Sequence, residues 1–367
     1  MRSAFFTVHK YAGLILGLLL VVIGLTGSLL VFDHALDESL TPETVAFQST
    51  EEPASLSQVL ANAQTAVTGN PLPRRLYLPR GEGSPHLVRF SNPDENAGSI
   101  EVSVSPTDAQ VLAVRTWGEY PMTWLYSLHY TLLSGETGKI IVGLMGLALL
   151  FFCLSGLVIW WPRNNRWRNA LTIRPGSNRF RFYFDLHKVV GIYLLPLLLV
   201  VGFSGVSMIF PKQVEQLVGL GLPMEPKVAV SSGEQDPDMT PLGVDQIVDL
   251  ARQNFPQGVL KRIDLPHNDS AVYRLSFNMP GEPWSNHGAS RVWLDQYTGE
   301  VLASRIVGEQ AAGTTFMAWQ FPLHNADVLG LAGRSLLVMV GLAPLLFFYT
   351  GVYLWWRKRG LKQKKKA

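Results

Sequence analysis

The stretch FTVHKYAGLILG, residues 6–17, sets a histidine and a lysine at the entrance of a segment otherwise fit for lipid. FDLHKVVGIYLL, residues 184–195, repeats that arrangement ahead of a second apolar run. At one constant offset His9, Lys10 and Gly13 fall on His187, Lys188 and Gly191, and Gly24, Thr26, Gly27 and Phe32 fall on Gly202, Ser204, Gly205 and Phe210. A second gapless offset lays His129, Gly135, Gly138 and Lys139 on His324, Gly330, Gly333 and Arg334, and continues through Gly146, Gly156, Trp160 and Trp161 on Gly341, Gly351, Trp355 and Trp356. The chain is written twice.

Four apolar runs, 11–32, 140–161, 189–210 and 336–356, are each long enough to cross about 30 Å of hydrocarbon. The first follows Arg2 and Lys10 but greatly exceeds the apolar core of a secretory signal, so it reads as an anchor. The composition, 47% hydrophobic and 16% charged over 367 residues, fits a membrane protein with sizeable parts outside the bilayer. Arg163, Arg166, Arg168, Arg174, Arg179 and Arg181 follow the second run, and Arg357, Lys358, Arg359, Lys362, Lys364, Lys365 and Lys366 follow the fourth. By the positive-inside rule both ends and the middle loop are expected in the cytoplasm. The stretches after the first and third runs then lie outside, the first of them opening with Asp37, Glu38, Glu43, Glu51 and Glu52. The net charge of +3 conceals this asymmetry, and nothing in the basic runs suggests nucleic acid. Cys153, the single cysteine, lies within the second run, which excludes disulfides and a thiolate-held iron–sulfur cluster.

Each outer stretch predicts a helix, 55–67 or 244–254, followed by short alternating strands at 75–78, 86–90, 99–105 and 111–115, or 260–265, 271–277, 291–295 and 300–305. SPTDAQVLAV and DQYTGEVLAS occupy the same hairpin position, where Asp, Thr and Gly suit the turn. The expected fold is membrane α-helical: four transmembrane helices as two parallel repeats about an axis along the membrane normal, with two outer α+β modules. Equivalent residues then share one depth, which sets His9 opposite His187 at the inner surface and His129 opposite His324 at the outer.

Two neutral imidazoles on opposite sides of a porphyrin complete a six-coordinate heme iron suited to electron transfer. Gly13 and Gly191, one helical turn beyond His9 and His187, would let a ring lie close to backbone, and the same spacing also suits close helix packing. Duplication copies an interfacial histidine as faithfully as a ligand, so the residues alone leave both readings open. Zinc or copper is the weaker metal reading, because Asp185 near His187 and Asp327 near His324 are unmatched in the other half. His34 breaks the repeat, aligning with Lys212, and reads as an outer-surface group able to approach the outer site; His86, His267 and His287 read as residues of the soluble modules. Tryptophans 117, 124, 160, 161, 319, 355 and 356 read as an aromatic belt.

The openings VHKYAG and LHKVVG, with GLTGSLLVF, SLHYTLLSGETGK, SGLVIWWPR and YTGEVL, make the whole chain resemble the PepSY-associated transmembrane family, in particular its four-helix members involved in siderophore-iron uptake. The resemblance implies a bacterial inner-membrane protein with two b-type hemes that reduces siderophore-bound Fe(III), of hydroxamate type among others, in the periplasm. It carries over His9 and His187 as ligands of an inner heme iron, and His129 and His324 as ligands of an outer one. It partitions the chain into helix 1–32, PepSY-like module 33–128, helix with its approach 129–161, cytoplasmic loop 162–186, helix 187–210, second module 211–323, helix with its approach 324–356, and tail 357–367. Arg163, Arg181 and Arg357 are candidate partners of heme propionates, although orientation alone also accounts for them. No Rossmann or flavin fingerprint is visible, so the electron donor is expected to be a quinol or a cytoplasmic partner. Two other readings are a non-enzymatic module regulating envelope peptidases and a quinol-linked cytochrome b with another periplasmic acceptor.

Overall fold

The computed structural model describes residues 2–45, 53–94, 97–163, 165–233, 239–282 and 288–364, the last four as backbone only. The helices are α1 (Arg2–Leu30), α2 (Asp33–Leu40), α3 (Leu56–Thr65), α4 (Pro121–Thr131), α5 (Gly135–Trp160), α6 (Trp167–Leu171), α7 (Arg179–Ile209), α8 (Pro211–Gly219), α9 (Val244–Asn254), α10 (Ala312–Ala318), α11 (Gln320–His324) and α12 (Gly330–Lys364). The strands are β1 (Pro73–Tyr77), β2 (His86–Phe90), β3 (Ile100–Val104), β4 (Val111–Thr116), β5 (Val259–Asp264), β6 (Val272–Asn278), β7 (Ser290–Asp295) and β8 (Val301–Arg305). The chain divides into two compact units, Met1–Phe32 with Leu125–Gln216 and Gln320–Ala367, and Asp33–Trp124 with Leu217–Trp319.

The first unit holds four helices long and apolar enough to cross a membrane: α1, α5, α7 and the segment Asp327–Gly360 that contains α12. α1 packs on α12 and α5, and α7 packs on α5 and α12. Small residues make the closest approach. A Cβ on Gly24 would meet the Gly341 carbonyl oxygen and come within 3.1 Å of Pro344 Cγ, and Ser28 Oγ donates across this crossing to Val338 O (3.0 Å). In a solvent as apolar as the helices themselves, close backbone approach and interhelical hydrogen bonds replace hydrophobic burial as the source of association.

The helices outrun the apolar stretches that announce them. α7 begins at Arg179, where the Asn178 side chain accepts from Arg181 N–H (2.9 Å). Within its opening turns the buried Asp185 carboxylate pairs with Arg181 Nε at 3.2 Å and with Lys188 Nζ at 3.0 Å. These contacts, one turn to either side, let a polar sequence continue the helix, so His187 lies inside α7 rather than at its mouth. At the opposite end of the bundle the chain breaks: Leu132 (φ +48°), Leu133 (+56°) and Gly135 (+55°) separate α4 from α5, and Ala326 and Gly330 (both +56°) separate α11 from α12. His129 and His324 therefore sit on short helices that precede the long ones.

In the second unit all eight strands join one antiparallel sheet in the order β4-β3-β2-β1-β5-β6-β7-β8. The two outer segments, expected as two modules, thus share a sheet through the β1–β5 pairing, in which Leu76 lies opposite Ile263. Alternation puts Leu76, Val88, Val102, Ile263, Leu275, Val292 and Leu294 in one core with Val59 and Ala63 of α3 and Ile247, Val248 and Ala251 of α9. The Asp245 carboxylate of α9 caps α3, accepting from Leu56 N–H (2.9 Å) and Ser57 N–H (3.0 Å). Both expected hairpins form: Ala109 turns between β3 and β4 at φ +55°, and Gly299 between β7 and β8 at φ +71°.

Candidate functional site

The bundle brings four of the histidines together in two pairs. The rings of His9 on α1 and His187 on α7 have centroids 6.5 Å apart with an interplanar angle of 69°. The rings of His129 on α4 and His324 on α11 lie 6.4 Å apart at 55°. His9 is bonded to Ser155, and His129 to Thr26 on the same α1 that carries His9. At 1.5 Å per residue the two levels are about 25 Å apart along that helix.

A helical hydroxyl holds each imidazole. His9 Nδ1 lies 2.7 Å from Ser155 Oγ, His187 Nδ1 2.7 Å from Thr350 Oγ1, His129 Nδ1 3.1 Å from Thr26 Oγ1, and His324 Nδ1 3.0 Å from Ser204 Oγ. Every one of these hydroxyls already spends its single proton on the carbonyl one turn back: Ser155 on Phe151 O (2.7 Å), Thr350 on Leu346 O (2.7 Å), Thr26 on Val22 O (2.8 Å) and Ser204 on Val200 O (2.7 Å). The hydroxyls can then only accept from the rings, and His129 Nδ1 also faces the Ile23 carbonyl at 3.0 Å, an acceptor by nature. All four rings are therefore Nδ1–H tautomers, which leaves the lone pair on Nε2, the state a metal-ligating histidine takes when its other nitrogen is anchored.

Packing completes the arrangement. Phe152 meets the His9 ring edge-on at 5.2 Å, and Phe347 lies 5.1 Å from the His187 ring. Gly13 and Gly191 face those same phenylalanines, and an added Cβ would just touch Phe152 (3.9 Å) or Phe347 (3.8 Å). The glycines that make room for imidazoles are others. A Cβ on Gly27 would stand 2.9 Å from His129 Cε1, and one on Gly205 3.3 Å from His324 Cε1.

The sequence profile described as PepSY-associated TM region matches residues 6–358. The chain belongs to this family. It is also 27% identical over 258 residues to an uncharacterized protein of Pseudomonas aeruginosa. That match covers 64% of this chain and 63% of the relative, so less than two thirds of the relative's length is spanned.

The remaining candidates of this PepSY-associated chain lie elsewhere. Asp185 is committed to Arg181 and Lys188. Among the described residues no group of three or more His, Cys, Asp or Glu side chains converges as a metal site would require. His34 stands on α2 with Nδ1 3.8 Å from Asp33. His86 is buried in β2, His267 is exposed, and His287 lies outside the described residues. Cys153 is buried among apolar side chains. Trp160, Trp161 and Trp167 pack on one another with centroids 5.5–6.2 Å apart. Arg357 is exposed, and Arg163 lines a cavity of about 510 Å³ with Arg2, Ser3, Phe6 and Ile159.

A second cavity, about 640 Å³, opens beside α7 and α12 and is lined by Arg174, Ser177, Arg179, Tyr183, Tyr349 and Tyr353, among others. Tyr183 precedes His187 by one turn of α7, and Tyr353 follows Thr350, the partner of His187, by one turn of α12. The tyrosine rings pack together, Tyr183 lying 4.7 Å from Tyr353 and 5.6 Å from Tyr349. The buried Ser177 Oγ has no hydrogen-bond partner among the described residues. Neither the hydroxyl anchors nor this cavity was anticipated. The one signal for the anchors was small and polar: Ser155–Gly156 and Thr350–Gly351 align between the halves, as do Thr26–Gly27 and Ser204–Gly205.

Proposed function

We propose that the chain is a di-heme reductase of the bacterial inner membrane, which passes electrons from a quinol or cytoplasmic donor across the bilayer to siderophore-bound Fe(III) in the periplasm. The observation that carries this reading is the pair of histidine pairs, each with anchored Nδ1–H and a lone pair on Nε2. Two imidazoles coordinating one iron at about 2 Å on opposite sides have centroids about 6 Å apart, and the observed 6.5 and 6.4 Å fit that requirement. Two ligands per level and no converging third among the described residues suit a macrocycle, which brings its own four nitrogens, better than a closed tetrahedral zinc site.

His9 and His187 would hold the inner heme, and His129 and His324 the outer. A heme held by each of these pairs would supply one-electron transfer. Ser155, Thr350, Thr26 and Ser204 fix ring rotation and tautomer and, by accepting from Nδ1–H, raise the basicity of Nε2. The two levels, about 25 Å apart along α1, would set one heme toward each end of the bundle. Transfer of one electron converts Fe(III) to Fe(II), for which hard chelating oxygens have far weaker affinity, so the chelator itself is left intact. The tyrosine-lined cavity one turn from His187 is where this reading places the electron donor. With the termini cytoplasmic and the sheet unit periplasmic, the halves are read as two repeats about an axis along the membrane normal, in keeping with the matching packing of α1 on α12 and α7 on α5.

A pyridine hemochrome assay on purified protein should give two b-type hemes per chain. His9→Ala should leave one, as should His129→Ala, and the dithionite-reduced protein should reoxidise on addition of ferric siderophore. A colourless protein from cells with ample heme, or heme content unchanged in both variants, refutes the proposal.

A further inference from the structure

One face of the sheet packs on α3 and α9, and the other is crowded with arginine. Strand register sets Arg115, Glu101, Arg89, Arg75, Asp264 and Arg274 side by side in one row. A neighbouring row runs Arg262, Ser276, Arg291, Arg305 on the same face. Toward β4 the cations are matched. Arg115 grips Asp37 with two bonds of 3.0 and 2.9 Å, and Arg89 donates to the buried Glu101 (3.0 Å), which also accepts from Tyr120 OH (2.7 Å).

Toward β7 they are not. Asp264 alone serves Arg75, Arg262 (3.3 Å) and Arg274 (2.8 Å), and Arg305 pairs with Glu225 (3.4 Å). Burial would raise the Asp264 carboxyl, but Arg262, Arg274 and Arg75 outweigh it and hold it below its ordinary value. No ion pair of Arg291 is found among the described residues; burial first, then Arg262 and Arg274, push its guanidinium down to about 10. Among the described residues Arg291 Nε and Ser276 Oγ are buried without a hydrogen-bond partner and Ser276 is 0% exposed, while Arg262 Nε has only the long contact with an Asp264 carboxylate that Arg75 and Arg274 also use. The alignment of the two hairpins, Ser105 on Asp295, puts Glu101 on Arg291, so the half with a satisfied acid is matched by one with an unsatisfied base.

Register places Ser276 directly across from Arg262 on one side and Arg291 on the other, with Cα separations of about 5 Å. A guanidinium nitrogen and a hydroxyl buried with no acceptor, beside a guanidinium that shares one carboxylate with two others, call for a further acceptor, because each forfeits its hydration for nothing. We propose that Arg262, Ser276 and Arg291 form a binding site for a small anion bearing several oxygens, a carboxylate or a phosphate, which accepts from both guanidinium groups and the hydroxyl. The site stands apart from the histidine pairs and does not rest on their reading. Its ligand chemistry is shared by soluble polycarboxylates, an anionic iron chelate among them, and by phospholipid headgroups.

The test is calorimetric titration of the full chain with citrate and with inorganic phosphate at low ionic strength, in nanodiscs of phosphatidylcholine and, separately, of phosphatidylglycerol. One anion should bind per chain in phosphatidylcholine. Arg291→Gln should weaken it about tenfold, the loss of a charged contact. Ser276→Ala, which keeps every charge and secures the test if the arginine variant fails to fold, should weaken it severalfold. Binding that survives in phosphatidylglycerol supports a soluble ligand, and binding blocked there supports a headgroup at the same residues. Absence of heat with both anions, or titrations of Ser276→Ala and Arg291→Gln that match the wild type, overturns the proposal.

Discussion

Ser155 shows how a single hydroxyl determines the chemistry of a residue on another helix. Because its proton goes to Phe151 O, it must accept from His9 Nδ1, and Nε2 is left with the lone pair. On the proposed function, Ser155→Ala should keep the heme at the inner pair but make its ligand less basic, so a spectroelectrochemical titration should show the inner potential moved upward and the outer one unmoved. Potentials identical to the wild type would mean that the hydroxyl orients nothing. His86 makes a prediction in pH. Burial depresses its imidazole from 6.5 to about 4, against a smaller opposing hydrogen bond that the ring donates to the Tyr77 backbone. Between those values the unfolded chain binds more protons than the folded one, so stability is complete above 6.5 and declines as pH falls, by at most ~1.4 kcal/mol per unit. Denaturation of wild type and His86→Leu at pH 7 and pH 5 should show a shallower pH loss in the variant; parallel losses would clear His86 of the effect.

At the scale of elements, the two β-hairpins solve one turn differently. Both turns need a left-handed residue, which Gly299 supplies freely and Ala109 supplies under strain of about 1 kcal/mol. A methyl on Gly299 would also come within 3.1 Å of Leu242 Cδ1 and closer still to Leu250. Gly299→Ala should therefore lower stability by ~2 kcal/mol or more, combining backbone strain with overpacking, as read from the denaturation midpoint. An unchanged midpoint would show that Leu250 yields. The long helices teach a related lesson: α7 starts well before its apolar run because Arg181, Asp185 and Lys188 satisfy one another within its opening turns. Hydropathy reports the lipid-facing length of a helix, whereas capping and ion pairs decide where the helix begins.

For the whole molecule, the decisive relation is between two histidine levels in one bundle. With protein reconstituted into vesicles, a reductant trapped on the side of the chain termini and an impermeant ferric chelate outside, the proposed function predicts Fe(II) appearing outside. His187→Ala and His324→Ala should each abolish it, since either breaks the relay, and outward reduction that persists in either variant would exclude a relay through both levels. The crowded arginines of the sheet belong to the same scale in part, because the β1–β5 pairing adds Arg75 to the cations that share Asp264.

Much of this was legible from residue patterns that act locally or by copying. Apolar length announced four membrane helices, alternation announced the strands, and two gapless offsets singled out His9, His187, His129 and His324 from eight histidines. What the chain order could not convey is which distant segments touch. The acceptors Ser155, Thr350, Thr26 and Ser204 lie on different helices from the rings they hold, and a repeated serine or threonine before a glycine does not say which ring it will meet. The joining of β1 to β5 likewise depends on pairing across nearly two hundred residues, and the row of Arg262, Ser276 and Arg291 follows from the registers of β5, β6 and β7. Periodicity and repetition are properties of neighbouring positions and so survive in one dimension; tautomer, pairing and charge imbalance are properties of contacts, which exist only once the chain has folded.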